Sequence, residues 1–196
     1  RERTKELIRP ILRGRDIKRY GYEWADLWLI ATFPSRHYDI EEYPAVKTYL
    51  LSFGIERLEQ TGKKYVINGE EVKARKKTNN KWFETQDSIN YWQDFLNPKL
   101  FYADITQRLN FCLCKEVMFC NNTTYFISAK DEAILEHLKV YLNSPLIDWY
   151  YRTLSVQLGE SAVRMFSIYV LEIPIPPITQ KDIYKAYNLS QSEIDY

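Results

Sequence analysis

The sequence predicts an α+β fold: a single mixed domain with a small β-sheet core, a helical hairpin and an inserted basic hairpin or loop. Three observations carry that expectation. Apolar runs of strand length and stretches of helical spacing follow one another without the strict alternation that builds a parallel sheet. A hairpin turn signal, Asn68-Gly69, lies inside a basic segment with no sustained apolar period. Two helix-length apolar patterns are separated by Asn143-Ser-Pro145, a stop followed at once by a start.

Each element follows from local chemistry. Leu27 to Phe33 is a compact apolar run ended by Pro34, the signature of a buried strand. Pro44 suits a first helical turn, and Val46, Tyr49, Leu50, Phe53 and Leu58 then mark a helical face expected to stop near Gly62. Residues 60–82 read as a basic hairpin or loop inserted into the body, with Tyr65 to Ile67 and Val72 flanking the Asn-Gly turn. Leu100 to Ile105, Phe111 to Phe119 and Thr124 to Ile127 read as three successive strands, the last two joined through Asn121-Asn122. Ser128 to Asp131 resembles a capping box, and Ile134, Leu135, Leu138, Tyr141 and Leu142 follow at helical spacing. A second helix starts at Leu146. Ile168 to Ile175 reads as a last strand closed by prolines, and one or two short helices are expected after Thr179 and Ser190. The expected organisation is a body over residues 1–178 and a helical tail over 179–196.

Composition bounds the function. In a chain of 196 residues, 45% hydrophobic and 27% charged residues are ordinary globular values, so disordered and fibrous classes are excluded. No apolar run approaches the ~18 residues of a membrane-spanning helix, and no membrane partner is expected. The opening Arg-Glu-Arg-Thr has neither an apolar core nor an initiator Met, so it is expected to be neither a signal peptide nor the natural start. Three cysteines, Cys112, Cys114 and Cys120, cluster in one apolar stretch; this is no disulfide framework, and a reducing compartment is expected. Their spacing is not that of a zinc site, and they read as small residues of a buried strand.

The net charge of +1 hides an uneven distribution. Residues 1–82 hold 18 Lys and Arg against 12 Asp and Glu, and residues 83–196 hold 9 against 14. The excess sits in two places: Arg1 to Arg19, with eight positive and three negative residues, and Gln60 to Trp82, with seven and two. Such asymmetry points to a side that faces a polyanion.

Catalytic signals are absent by comparison. The six glycines stand singly and form no phosphate loop, and there is no Gly-x-Ser-x-Gly nucleophile elbow. Asp16-Ile-Lys18 and Glu71-Val-Lys73 have the spacing of a metal-nuclease fragment but lack a placed acidic partner. Asn143-Ser-Pro-Leu146 lacks the second proline and aromatic residue of an amino-methyltransferase motif and reads as a helix stop. His37 lies in a loop and His137 on a helix; both read as structural or solvated. No catalytic residue and no metal ligand is therefore assigned.

The basic segment remains. Lys73, Arg75, Lys76, Lys77 and Lys81, interleaved with Asn79, Asn80 and Trp82, combine phosphate-seeking cations, base-edge amides and a stacking ring. From composition alone, a nucleic-acid contact and a solvated loop kept soluble by its charge both stand open.

The order of short motifs resembles the TaqI-like C-terminal specificity domain. Ile11-Leu-Arg-Gly-Arg-Asp-Ile-Lys-Arg-Tyr20 is similar to that family's opening motif. Trp28 to Ile30, Tyr43-Pro-Ala-Val-Lys47, Lys81-Trp-Phe-Glu84, Asn97-Pro-Lys-Leu-Phe-Tyr102, Leu142-Asn-Ser-Pro-Leu146 and Gly159 with Arg164 follow in order, ending at Ile173-Pro-Ile-Pro176. The resemblance covers roughly residues 10 to 177. It implies a DNA target-recognition domain of a restriction–modification enzyme, in the cytoplasm of a prokaryote. Its partners would be double-stranded DNA and an N-terminal methyltransferase domain of the same polypeptide. That domain would use S-adenosylmethionine to methylate adenine N6; this segment itself is expected to hold no cofactor. Whether the parent also cuts DNA, or is a separate type I-like specificity subunit, stays open.

On this reading Arg75, Lys76, Lys77, Asn79, Asn80 and Lys81, with Lys73 and Trp82, are candidates to contact DNA, and Arg13, Arg15, Lys18 and Arg19 are candidate phosphate anchors. Arg15 and Arg19 have a second reading, as structural parts of the Gly-Arg-Asp motif, and Arg164 shares that ambiguity. A protein-interaction or scaffold domain, docking subunits through its aromatic surface and helical hairpin, is the alternative.

Overall fold

In the computed structural model, which describes residues 2–195, about 33% of the chain is helix and 22% strand, so the α+β class holds. The chain forms two compact units. Residues up to Pro10 together with Trp28–Gln93 make one, and Ile11–Leu27 together with the residues from Asp94 onward make the other.

In the first unit, residues of the strand Ile8–Leu12 pair antiparallel with Trp28–Ile30, as Ile8 with Ile30 and Pro10 with Trp28. The helix Pro44–Leu51 carries proline in its first turn and turns Val46 into a core of Leu7, Ile40, Tyr43 and Phe83. The single helix expected to run to Gly62 is interrupted: Gly54 has φ +87°, which no helix interior accommodates, and one further turn follows at Ile55–Leu58. Tyr49 and Phe53 accordingly stay exposed and pair edge-on with each other at 5.2 Å. The hairpin forms as the turn chemistry predicts, Lys64–Ile67 against Glu70–Lys73. Asn68 and Gly69 have φ +51° and +85°, the two left-handed positions that a tight type I′ turn requires.

In the second unit the strand Lys99–Ala103, buried along its whole length, lies between Thr124–Ser128 and Cys112–Cys114. The strand expected over Phe111 to Phe119 is two pieces. Exposed Lys115, Glu116 and Val117 break it, and Phe119–Cys120 pairs parallel with Ile11 and Leu12 instead. A second small sheet orders Gln157–Leu158, Ala162–Arg164 and Ile105–Thr106.

The helical hairpin is present as Glu132–Leu142 and Pro145–Leu154. Its N-cap is Asp131, which accepts from Ala133 N at 2.9 Å, rather than Ser128 as the capping-box reading had it. Ser144 caps the second helix. The last strand expected over Ile168 to Ile175 is instead the one-turn helix Ser167–Val170 followed by irregular chain. Val170 and Ile173 face inward, three residues apart, and leave Ile168 and Leu171 in solvent. The tail forms Ile183–Ala186 and Gln191–Asp195, the second opened by Ser190, whose N–H and hydroxyl both donate to the Glu193 carboxylate. Among the described residues no helix is long and apolar enough to cross a membrane.

Candidate nucleic-acid interface

The basic segment of the first unit is an ordered loop laid beside the chain that leads into the hairpin. Ala74 N donates to Lys63 O, Gly62 N to Arg75 O, Arg75 N to Glu59 O and Thr78 N to Gln60 O, at 2.8–3.0 Å. Beyond this ladder the loop is held by side chains. The Arg75 guanidinium donates through Nε to Leu58 O at 2.8 Å, through Nη1 to Glu84 O at 2.9 Å, and through Nη2 to Trp82 O. Gln60, buried, donates to Lys81 O and Glu84 O and accepts from Thr78 Oγ1. Asn80 Nδ2 donates to Thr85 O and Gln86 O at 3.0 and 2.8 Å, and buried Glu84 accepts from Lys81 N at 2.7 Å. Trp82 is half-buried and packs edge-on against Phe83 at 5.5 Å, within the unit's core.

These bonds divide the eight candidates of this segment. Arg75, Asn80 and Trp82 form the frame; every hydrogen bond that the Arg75 guanidinium donates ends on a backbone carbonyl of its own unit. Lys73, Lys76, Lys77 and Asn79 are exposed, and their side chains have no hydrogen-bond or ion-pair partner among the described residues. Lys81 is exposed as well, its ammonium 5.6 Å from the Phe83 ring centroid. The result is a stiff backbone carrying a row of unneutralised ammonium groups and one amide.

The candidate anchors lie in the second unit. Arg13 forks onto buried Asp16, with Nε 3.1 Å from Oδ2 and Nη2 2.8 Å from Oδ1, and its backbone N–H also reaches Oδ2 at 2.9 Å. These bonds hold the Asp16 carboxyl below the usual carboxylate range. A Cβ on Gly14 would lie 2.5 Å from the Thr123 carbonyl oxygen, so the Gly-Arg-Asp motif is a packing device in which glycine and aspartate are both required. Arg19 donates to Asn143 O at 3.3 Å, and Lys18 to Arg15 O at 3.3 Å while pairing with Glu23 at 3.6 Å. Arg15 is exposed beside a concavity of about 350 Å³ that Asp104, Asn121 and Thr123 help to line. Arg164 pairs with Asp104 at 3.4 Å and lies 5.3 Å from the Phe166 ring, so its ambiguity resolves toward structure.

Other titratable groups hold structural positions. Cys112 and Cys114 are buried and Cys120 half-buried, all as free thiols, and burial pushes Cys112 and Cys120 up to about 12. His137 stacks on Tyr141, its Nε2 3.3 Å from Pro176 O, while His37 is exposed with φ +52°. Among the described residues no three His, Cys, Asp or Glu side chains gather as a metal site.

One arrangement escaped the sequence. Arg36 lies 4.0 Å from the Trp92 ring centroid, a stack between residues 56 positions apart that no local pattern announces.

Residues 9–175 match a family model described as the TaqI-like C-terminal specificity domain. No curated protein matches the chain.

Proposed function

The chain belongs to the TaqI-like C-terminal specificity domain family, and from that premise we propose that it recognises a specific sequence in double-stranded DNA for a restriction–modification enzyme. One observation carries the reading: Lys73, Lys76, Lys77, Asn79 and Lys81 stand outward, the first four without side-chain partners among the described residues, on a loop whose backbone is fixed by Arg75, Gln60, Asn80 and Glu84. Lysines on a fixed backbone neutralise phosphates, release counterions and set the register of the duplex. The Asn79 amide supplies the donor and acceptor that adenine N7 and N6 require. Arg15 and Lys18 of the other unit are assigned as further phosphate contacts.

Methyl transfer is not a step of this chain. It belongs to an N-terminal adenine methyltransferase domain of the same polypeptide, in a prokaryotic cytoplasm, and S-adenosylmethionine supplies the methyl group there. The target base must leave the stack at a cost of a few kcal/mol. Phosphate and base-edge contacts made by this chain hold the flanking duplex while that happens.

The test is duplex binding by fluorescence anisotropy across a salt series, comparing the chain with K76A/K77A/K81A. Each lost phosphate contact should flatten the slope of log K against log[salt] by about 0.9. An unchanged slope removes the loop from the interface. A second reading, protein docking, is favoured by the apolar exposure of the second unit, where Trp149 is 63% and Leu171 83% exposed. No binding to any duplex at low salt would favour that reading.

A further inference from the structure

We propose that Arg36 reads the O6/N7 edge of a guanine in the recognised sequence. The assignment rests on the DNA-recognition reading above and extends it to a residue outside the basic segment. Arg36 closes the 3-10 turn Pro34–Arg36 of the first unit and is exposed. Its guanidinium carbon lies 4.0 Å from the Trp92 ring centroid and 5.4 Å from that of Tyr38, and its Nε donates to Tyr38 Oη at 3.2 Å. Nη1 and Nη2 have no partner among the described residues, and no carboxylate pairs with either. The guanidinium thus has one face stacked, one donor anchored and a two-nitrogen edge left open.

This is more positioning than a phosphate needs. A phosphate accepts a flexible ammonium from many directions, and Lys73, Lys76, Lys77 and Lys81 of the same unit already offer four. A planar fork held in orientation by two rings matches a planar ligand with two adjacent acceptors. Guanine presents those acceptors, O6 and N7, in the major groove.

The backbone on both sides is constrained to seat the stack. Ile89 has φ +50°, a left-handed conformation that a β-branched side chain adopts only when its surroundings enforce it. Its carbonyl accepts from Ser35 Oγ and from Trp92 N, each at 3.2 Å, and Ser35 N donates to Ser88 O at 3.4 Å. The two ends of the stack, Arg36 and Trp92, are therefore carried by segments bonded to each other. The segment also joins the basic loop, because Asn80 Nδ2 donates to Gln86 O, three residues before Ile89.

The experiment is selection of duplexes from a random-sequence library by the chain, followed by sequencing, with R36A and R36K in parallel. The unsubstituted chain should select a consensus holding a guanine at one position where R36A accepts all four bases. Discrimination there should fall by roughly 5- to 150-fold while the other positions keep their preference. R36K keeps the charge without the fork and should lose the same position. With 7-deazaguanine, which lacks the N7 acceptor, the unsubstituted chain should bind more weakly and R36A should not change.

Three results would overturn the assignment. One is an R36A consensus unchanged in every position, with even weakening and a salt slope lower by about 0.9, which would make Arg36 a phosphate contact. Another is loss of preference at all positions in both variants together with a lower melting temperature, which would make it structural. The third is a consensus without guanine. If the unsubstituted chain selects nothing, the DNA-recognition reading itself has failed, and this assignment falls with it.

Discussion

At the residue scale, what decides a side chain's role is whether its polar atoms are already committed. Asp16 is buried and spends both oxygens on Arg13, which holds its carboxyl below the ordinary range. A carboxyl whose folded pKa is depressed contributes stability that is fully present above its unfolded value, about 4, and is lost as pH falls through the folded value. D16N should therefore be less stable than the unsubstituted chain near pH 7, with the gap closing as pH falls below about 4. Urea unfolding at a series of pH values measures it, and a gap that stays constant with pH would detach Asp16 from the effect.

Arg75 gives the sharper contrast, since it sits between lysines that the sequence does not distinguish from it. Its three bonds end on Leu58, Trp82 and Glu84 carbonyls, so R75M should cost roughly 2–3 kcal/mol by leaving carbonyl oxygens unpaired. R75K should not rescue it, because one ammonium cannot reproduce a planar fork that reaches three acceptors. K76A, exposed and without a partner among the described residues, should change stability by less than about 0.5 kcal/mol. Thermal melts of the three variants separate frame from contact surface. Equal losses in R75M and K76A would contradict the division.

At the element scale, legibility follows how local the determining interactions are. The Asn68-Gly69 hairpin and the Ser190–Glu193 cap were readable because turn and cap are set within four residues. The helical hairpin was readable from its stop, although the reason the stop is Asn143 was not. That side chain accepts from Phe111 N and donates to Phe111 O and Lys139 O, all at 2.8 Å, stitching the end of one helix to the residue that leads into the strand Cys112–Cys114. N143A should strand the buried Phe111 peptide and cost about 3 kcal/mol, measured by denaturant unfolding; a loss below 1 kcal/mol would mean that water takes over the site. The misread elements were those where tertiary contacts outvoted pattern. Ile168 to Ile175 is rich in β-branched residues, yet Val170 and Ile173 are buried at helical spacing. The same limit applies to the candidate interface: the basic run is visible as composition, but Arg75 and Asn80 as frame, and Arg36 on Trp92, depend on partners that no window contains.

At the scale of the whole molecule, a formal charge of +1 would describe a poor partner for DNA if charge acted as a total. It acts through the unpaired cations that a duplex can reach. The unit containing residues 28–93 carries 14 Lys and Arg against 11 Asp and Glu, while the other carries 13 against 15. Several of those acids are already paired, as Glu41 is with Lys47 and Glu71 with Lys64. In the basic loop, Lys73, Lys76, Lys77 and Lys81 are ammonium groups without an ion pair among the described residues; Arg15 and Lys18, the latter 3.6 Å from Glu23, are exposed cations of the other unit. Four phosphate contacts correspond to a slope of log K against log[salt] near −3.6, and six to about −5.4. The chain should therefore bind duplex with a slope between those limits, far from the −8 or beyond of a uniformly basic surface. Anisotropy titrations between 50 and 200 mM salt measure it. A slope shallower than about −2 would mean that the loop lysines never meet phosphate. A slope within the limits would explain why near-neutrality suits a sequence reader: attraction to any duplex stays modest, so the base-edge contacts of Asn79 and Arg36 decide where it stops.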